Sequence, residues 1–196
     1  MKHQSPIFVD ANGFAIATRS LLLEVTADDD NQLDFTDLDD TFPRYVIEGD
    51  NVVASADAVT LNALFSIDEV FKSGVADYGW VARTFSSDGT DGQSENSSDA
   101  FISTCRDSGN GQWGSNDSES GDITFTITRG GSSNHPRLWS VTVNYGNGAD
   151  FLYTQGHGAY IGGSSGAAGV DGIDGVRLSF SSGKIQKGNF RLYGVE

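Results

Sequence analysis

Apolar side chains recur at every second residue along most of this chain, and no segment carries them at helical spacing. Val59, Leu61, Ala63 and Phe65 share one side of a stretch, as do Ile123, Phe125 and Ile127. Trp139, Val141, Val143 and Tyr145 repeat the pattern, and so do Val176, Leu178 and Phe180. Successive Cβ atoms leave a strand on opposite faces, so this period marks half-buried β-strands. Further strands are expected near Leu21–Thr26, Arg44–Glu48, Tyr78–Phe85, Ala100–Cys105, Ala149–Gln155 and Asn189–Val195. About ten such strands must pack as two sheets or a closed barrel to hide their apolar faces. The spacing allows one helical turn, over Asp68–Ser73, and no substantial helix. The fold class is all-β.

Gly, Asn, Asp and Ser punctuate the strands. Ser86–Asp99 contains no apolar side chain, and Arg106–Gly121 contains one large one, Trp113. Gly156–Gly175 is rich in Gly and Ala. All three read as long surface loops, where binding residues concentrate on a rigid β scaffold. A length of 196 residues without repeat or linker fits a single domain. Its expected extent is 21–196. Residues 1–20 form an arm or hairpin, in which Ile7, Phe8, Val9, Phe14 and Ile16 flank the turn signal Asp10-Ala11-Asn12-Gly13. They are candidate residues for docking on a neighbouring subunit.

With 27 acidic against 12 basic residues, the net charge is −15. Such a surface repels phosphate, and the basic residues are scattered singly, so nucleic acid is not an expected partner. Cys105 is the only cysteine, which excludes an intramolecular disulfide; it reads as a small buried thiol. Met1–Pro6 lacks the apolar core of a signal peptide, and no apolar run is long enough to span a bilayer. Synthesis in a cytoplasm without membrane insertion is expected.

Several residues invite chemistry. His135 and His157 read as loop histidines without a catalytic role, and no catalytic residue is assigned. Asp99, Glu119, Asp122 and Asp150 are candidates for a glycosidase pair, but a solvated anionic surface explains carboxylates in this number. Asp28-Asp29-Asp30-Asn31 and Asp88-Gly89-Thr90-Asp91-Gly92 offer clustered oxygens suited to an interfacial Ca2+, without the spacing of a known calcium loop. No other metal or cofactor is indicated. Trp113, with Asn110, Gln112 and Asn116, fits a sugar-binding loop, an aromatic face among polar groups. The competing role for Trp113 is an anchor tucked onto the sandwich. Trp80 and Trp139, on alternating strands, read as core.

The C-terminal stretch Val176-Arg-Leu-Ser-Phe-Ser-Ser-Gly-Lys-Ile-Gln-Lys-Gly-Asn-Phe-Arg-Leu-Tyr-Gly-Val-Glu196 resembles the end of jelly-roll-like β-sandwich modules of bacteriophage virions. Such modules occur in tail fibres, appendages and head-surface proteins. Tyr45-Val-Ile-Glu-Gly-Asp-Asn-Val52, Val59-Thr-Leu-Asn-Ala-Leu-Phe-Ser66, and Tyr78 with Trp80 extend the likeness. The resemblance implies a jelly-roll-like antiparallel β-sandwich and a non-enzymatic structural protein displayed on the virion surface. Capsid decoration or stabilisation is its expected role. The alternative is a tail- or fibre-associated adhesin that binds host cell-surface glycan. No fibre shaft precedes the module here, which favours direct attachment. Other virion proteins and further copies of the chain are the expected partners. Across the turn at Gly183 and Gly188, Phe180 and Phe190 are expected on paired strands.

Overall fold

The structure is a computed structural model. It describes residues 18–89, 91–105, 112–129, 137–146, 150–162 and 172–196. The expected docking residues Ile7, Phe8, Val9, Phe14 and Ile16, and also Asn110 and His135, lie outside the described residues.

In chain order the strands are β1 (Arg19–Asp30), β2 (Leu33–Phe35), β3 (Arg44–Ala54), β4 (Leu61–Ile67), β5 (Val70–Phe71), β6 (Tyr78–Ser86) and β7 (Asp91–Asp99). They continue as β8 (Ile102–Ser103), β9 (Gly121–Thr128), β10 (Arg137–Gly146), β11 (Phe151–Tyr160), β12 (Gly175–Phe180) and β13 (Ile185–Val195). Eight of them form one sheet in the order β1-β13-β3-β9-β10-β11-β6-β7. A smaller sheet runs β2-β12-β4-β5, with β8 paired to β4. All pairings are antiparallel. The chain is therefore an antiparallel β-sandwich, the two-sheet solution of those the alternation allows.

The alternating residues meet between the sheets. Phe65 on β4 lies 6.2 Å from Phe125 on β9, and Phe35 on β2 lies 6.3 Å from Phe190 on β13, ring centre to ring centre. Trp80, Trp139 and Cys105 are buried in this core, where the sequence places them. Burying this many aromatic and aliphatic groups is the main favourable term, at roughly 25 cal/mol per Å2 of apolar surface. Among the described residues, no helix is long and apolar enough to cross a membrane.

Five expectations need correction, the first being the loop expected over Gly156–Gly175, whose residues up to Tyr160 continue β11. The polar stretch 86–99 is not one loop: it contains β7, which pairs with β6 through its backbone and needs no apolar side chain at the sheet edge. Asp68–Ser73 is not a helical turn but a tight hairpin. Asp68 and Glu69, at φ 54° and 58°, turn β4 directly into β5 with the left-handed pair a two-residue hairpin demands. Phe180 and Phe190 are not on paired strands. The Ser181-Ser182-Gly183 turn, with Gly183 at φ 72°, carries the chain from the small sheet to the large one. Finally, Arg19 and Ser20 belong to the sandwich, paired with Val195 and Gly194, so the domain starts before residue 21.

Candidate functional site

Trp113 is fully buried, which fits the anchor and not the sugar platform among its two weighed roles. Its indole stacks on Tyr145 at 5.0 Å and 5°, and meets Phe180 edge-on at 5.5 Å. Its backbone N–H donates to the Val59 carbonyl at 2.8 Å. No ring face is left for a sugar. The anchoring role is the one the structure assigns. Gln112 is half-buried beside it, while Asn116 is exposed and donates to the Glu119 carboxylate at 2.8 Å. The sequence-predicted loop therefore does not assemble a site among the described residues.

Each of the four weighed carboxylates has a local hydrogen-bond partner. Asp99 accepts from the Trp80 indole and from Asn96, at 3.2 and 3.0 Å. Glu119 is buried and accepts from the Asn116 backbone N–H at 2.9 Å. Asp122 accepts from the Asn51 N–H, and Asp150 from the Ser87 hydroxyl. Among the described residues no three His, Cys, Asp or Glu side chains gather where they could hold a metal ion.

One catalytic pattern escaped the sequence reading. Gly162-Gly163-Ser164-Ser165-Gly166 spells G-x-S-x-G, whose mechanical use needs a strand, a sharp turn and a helix. Here β11 precedes it, no helix follows it among the described residues, and 163–166 lie outside them.

A different surface is built from β10, β11, β6 and β7. Trp139, Val141, Val143 and Tyr145 of β10 point into the core, as do Leu152 and Thr154 of β11, and Trp80, Ala82 and Thr84 of β6. Alternation then puts the intervening residues on the outer face, and the strand register sets them in rows. Asn144, Tyr153, Phe85 and Asp91 form one row. Thr142, Gln155, Arg83 and Gln93 form the next, followed by Ser140, His157, Val81 and Glu95. Leu138, Ala159 and Gly79 close that end, and Phe151 extends the other.

The geometry of this face is specific. Phe85 and Tyr153 stack at 6.1 Å and 28°, both half-buried, and Phe151 beside them is 79% exposed. The Arg83 guanidinium lies 4.9 Å above the Phe85 ring and bonds Asp91 at 3.1 Å. Gln93 donates to Glu95 at 3.2 Å. A cavity of about 390 Å3 opens at the aromatic end, against Phe85, Asn144, Phe151 and Tyr153. A larger one of about 880 Å3 opens at the Leu138, Ala159 and Gly79 end, with His157 and Glu95 on its flank.

Glycine shapes this cavity. A Cβ on Gly79 would meet nothing nearer than backbone oxygens at 3.8 and 3.9 Å, so the floor is open for lack of a side chain. A Cβ on Gly158 would fall 2.2 Å from the Gly79 carbonyl and 2.7 Å from Trp139, so that glycine is imposed by packing.

No family model, curated protein or solved structure matches the chain.

A second surface lies at the opposite edge of the large sheet. Leu21, Leu22 and Leu23 are 55%, 45% and 40% exposed, an irregularity in pairing with β13 falling between Leu21 and Leu23. Beside them a groove of about 820 Å3 is walled by Phe42, Tyr45 and Leu192 and rimmed by Asp37 and Asp39. Thr41 closes a tight turn there. Its backbone N–H donates to Asp39 at 2.9 Å and holds that carboxyl below its usual pKa, outweighing the opposing effect of burial. The Tyr45 hydroxyl donates to the Asp39 carbonyl at 2.7 Å, and burial pushes its pKa well up. The two edges differ sharply, since β7 presents only Asp, Gly, Gln, Ser, Glu and Asn.

Proposed function

We propose that this chain is a non-enzymatic structural protein displayed on the surface of a bacteriophage virion, with capsid decoration as its role. The origin rests on the C-terminal motif from Val176 to Glu196 and on the Tyr45 and Val59 strands. The observation that supports docking is the β1 edge. An edge strand is a template for further pairing where it is not blunted by charge; β1 carries Arg19, Glu24 and Asp28–Asp30, and its three exposed leucines form an apolar stretch between these charges. Residues 1–17, with their own apolar clusters, precede β1 in the sequence.

The test mixes purified protein with capsids that lack it. Stoichiometric binding is expected, with loss on Leu22→Lys combined with Leu23→Lys, and also on deletion of residues 1–17. Failure of the wild-type chain to bind capsids refutes the reading. A second reading, attachment to host cell-surface glycan, is favoured by the outer face of β10-β11-β6-β7, on the side of the sheet away from the core.

A further inference from the structure

We propose that the outer face of β10, β11, β6 and β7 binds a linear, uncharged oligosaccharide along the strands. The inference supplies the second reading above with its site and rests on that reading's premise that the ligand is a glycan. From Phe151 to Ala159 the face runs about 27 Å, at ~3.3 Å per residue, room for about five pyranose units of ~5 Å each. Four strands at ~4.8 Å spacing make it about 14 Å wide.

Sugars present both C–H faces and closely spaced hydroxyls. They are recognised by aromatic planes together with side chains that donate and accept in one plane. Both kinds alternate along this surface. Phe151 and Tyr153 offer rings, and the adjoining row pairs Gln155 with Arg83, whose guanidinium lies over Phe85. His157 and Glu95 flank Val81 in the row beyond.

Charge selects among glycans. Arg83 is already paired with Asp91, so Glu95 gives the face a surplus of negative charge, within a chain at −15. Polyanionic saccharides are repelled. The polar row Thr142-Gln155-Arg83-Gln93 interrupts the apolar area, which disfavours a protein partner needing a continuous dry centre. The open floor at Gly79 is the decisive feature. Packing leaves room for a side chain there, yet the residue is glycine, and a bare floor is what a bound chain needs.

The test titrates gluco-, galacto- and N-acetylglucosamine oligomers of two to six units into the full chain by calorimetry, with heparin oligomers as the anionic control. Binding of at least one neutral series is expected, strengthening with length up to about five units. Tyr153→Ala is expected to weaken it about tenfold or more. Gly79→Val is expected to abolish it while leaving the unfolding midpoint equal or higher, since valine suits a strand with space around it. Both variants keep capsid binding, so loss of capsid binding alone strikes the decoration reading and not this site. The inference is overturned if no neutral series binds, if only heparin oligomers bind, or if binding survives both substitutions.

Discussion

Trp113→Ala distinguishes two accounts of one residue. For an indole in an exposed loop, truncation would remove ligand contacts and leave stability unchanged. In the sandwich the same indole is fully buried between Tyr145 and Phe180. Truncating a buried aromatic costs about 3–5 kcal/mol in lost transfer energy and residual cavity. One local effect opposes this. The indole N–H is buried without a hydrogen-bond partner among the described residues, a desolvated donor worth about 1–3 kcal/mol against the native state. The net cost of alanine is then about 2 kcal/mol at the middle of both ranges, within extremes of about 0 and 4 kcal/mol.

Phenylalanine separates the two contributions. It keeps a ring for Tyr145 and removes the orphaned donor, while leaving a void of about 40 Å3, or about 1 kcal/mol at ~24 cal/mol per Å3. Trp113→Phe is therefore expected within about 1 kcal/mol of wild type. Urea unfolding followed by far-UV circular dichroism, with slopes compared, measures all three proteins. A wild-type midpoint for the alanine variant would refute the burial argument. A phenylalanine variant as unstable as alanine would refute the role given to the orphaned N–H.

Further outcomes follow from particular contacts. Gly158→Ala drives a methyl into the Gly79 carbonyl and Trp139 and is expected to cost about 2–3 kcal/mol by urea unfolding, in contrast to Gly79→Val. Thr84 and Thr154 share a buried hydroxyl–hydroxyl bond of 2.8 Å. Either Thr→Val alone is expected to cost about 1–2 kcal/mol, and the double variant less than the sum, by about 1 kcal/mol or more in a double-mutant cycle. Asp39 has a lowered pKa in the folded state, so its contribution is present above the unfolded value of 3.8 and fades as pH falls through the folded one. The stability gap between wild type and Asp39→Asn should be level above about pH 5 and close below about pH 4. A gap that widens on acidification would contradict this.

The sandwich was legible because its central strands carry their own instructions. Ile123, Phe125 and Ile127 alternate with threonines, and each inward side chain needs a core whatever the topology. β7 was invisible for the complementary reason. Its side chains bury little, and what holds it is the ladder to β6, which leaves no mark in residue type. Glycine misled the reading of Gly156-His157-Gly158. It suggested a loop, whereas the strand continues and Gly158 makes room for the Trp139 ring from the next strand. Trp113 was ambiguous because its sequence neighbours are polar and its packing partners, Tyr145 and Phe180, are remote in the chain. The outer face was missed altogether: its rows exist only once four strands are in register.

The position of β13 has a consequence for how the molecule is made. It follows every other described strand yet lies between β1 and β3, pairing with both along most of its length. While the chain emerges in order from the ribosome, β1 has no partner in the large sheet and β3 keeps an open edge, until residues 185–195 arrive. The three exposed leucines of β1 then belong to a strand waiting for its neighbour. Neighbouring nascent chains on one message are thus exposed to mispairing until residues 185–195 are made, and the insertion of that single strand ends the period.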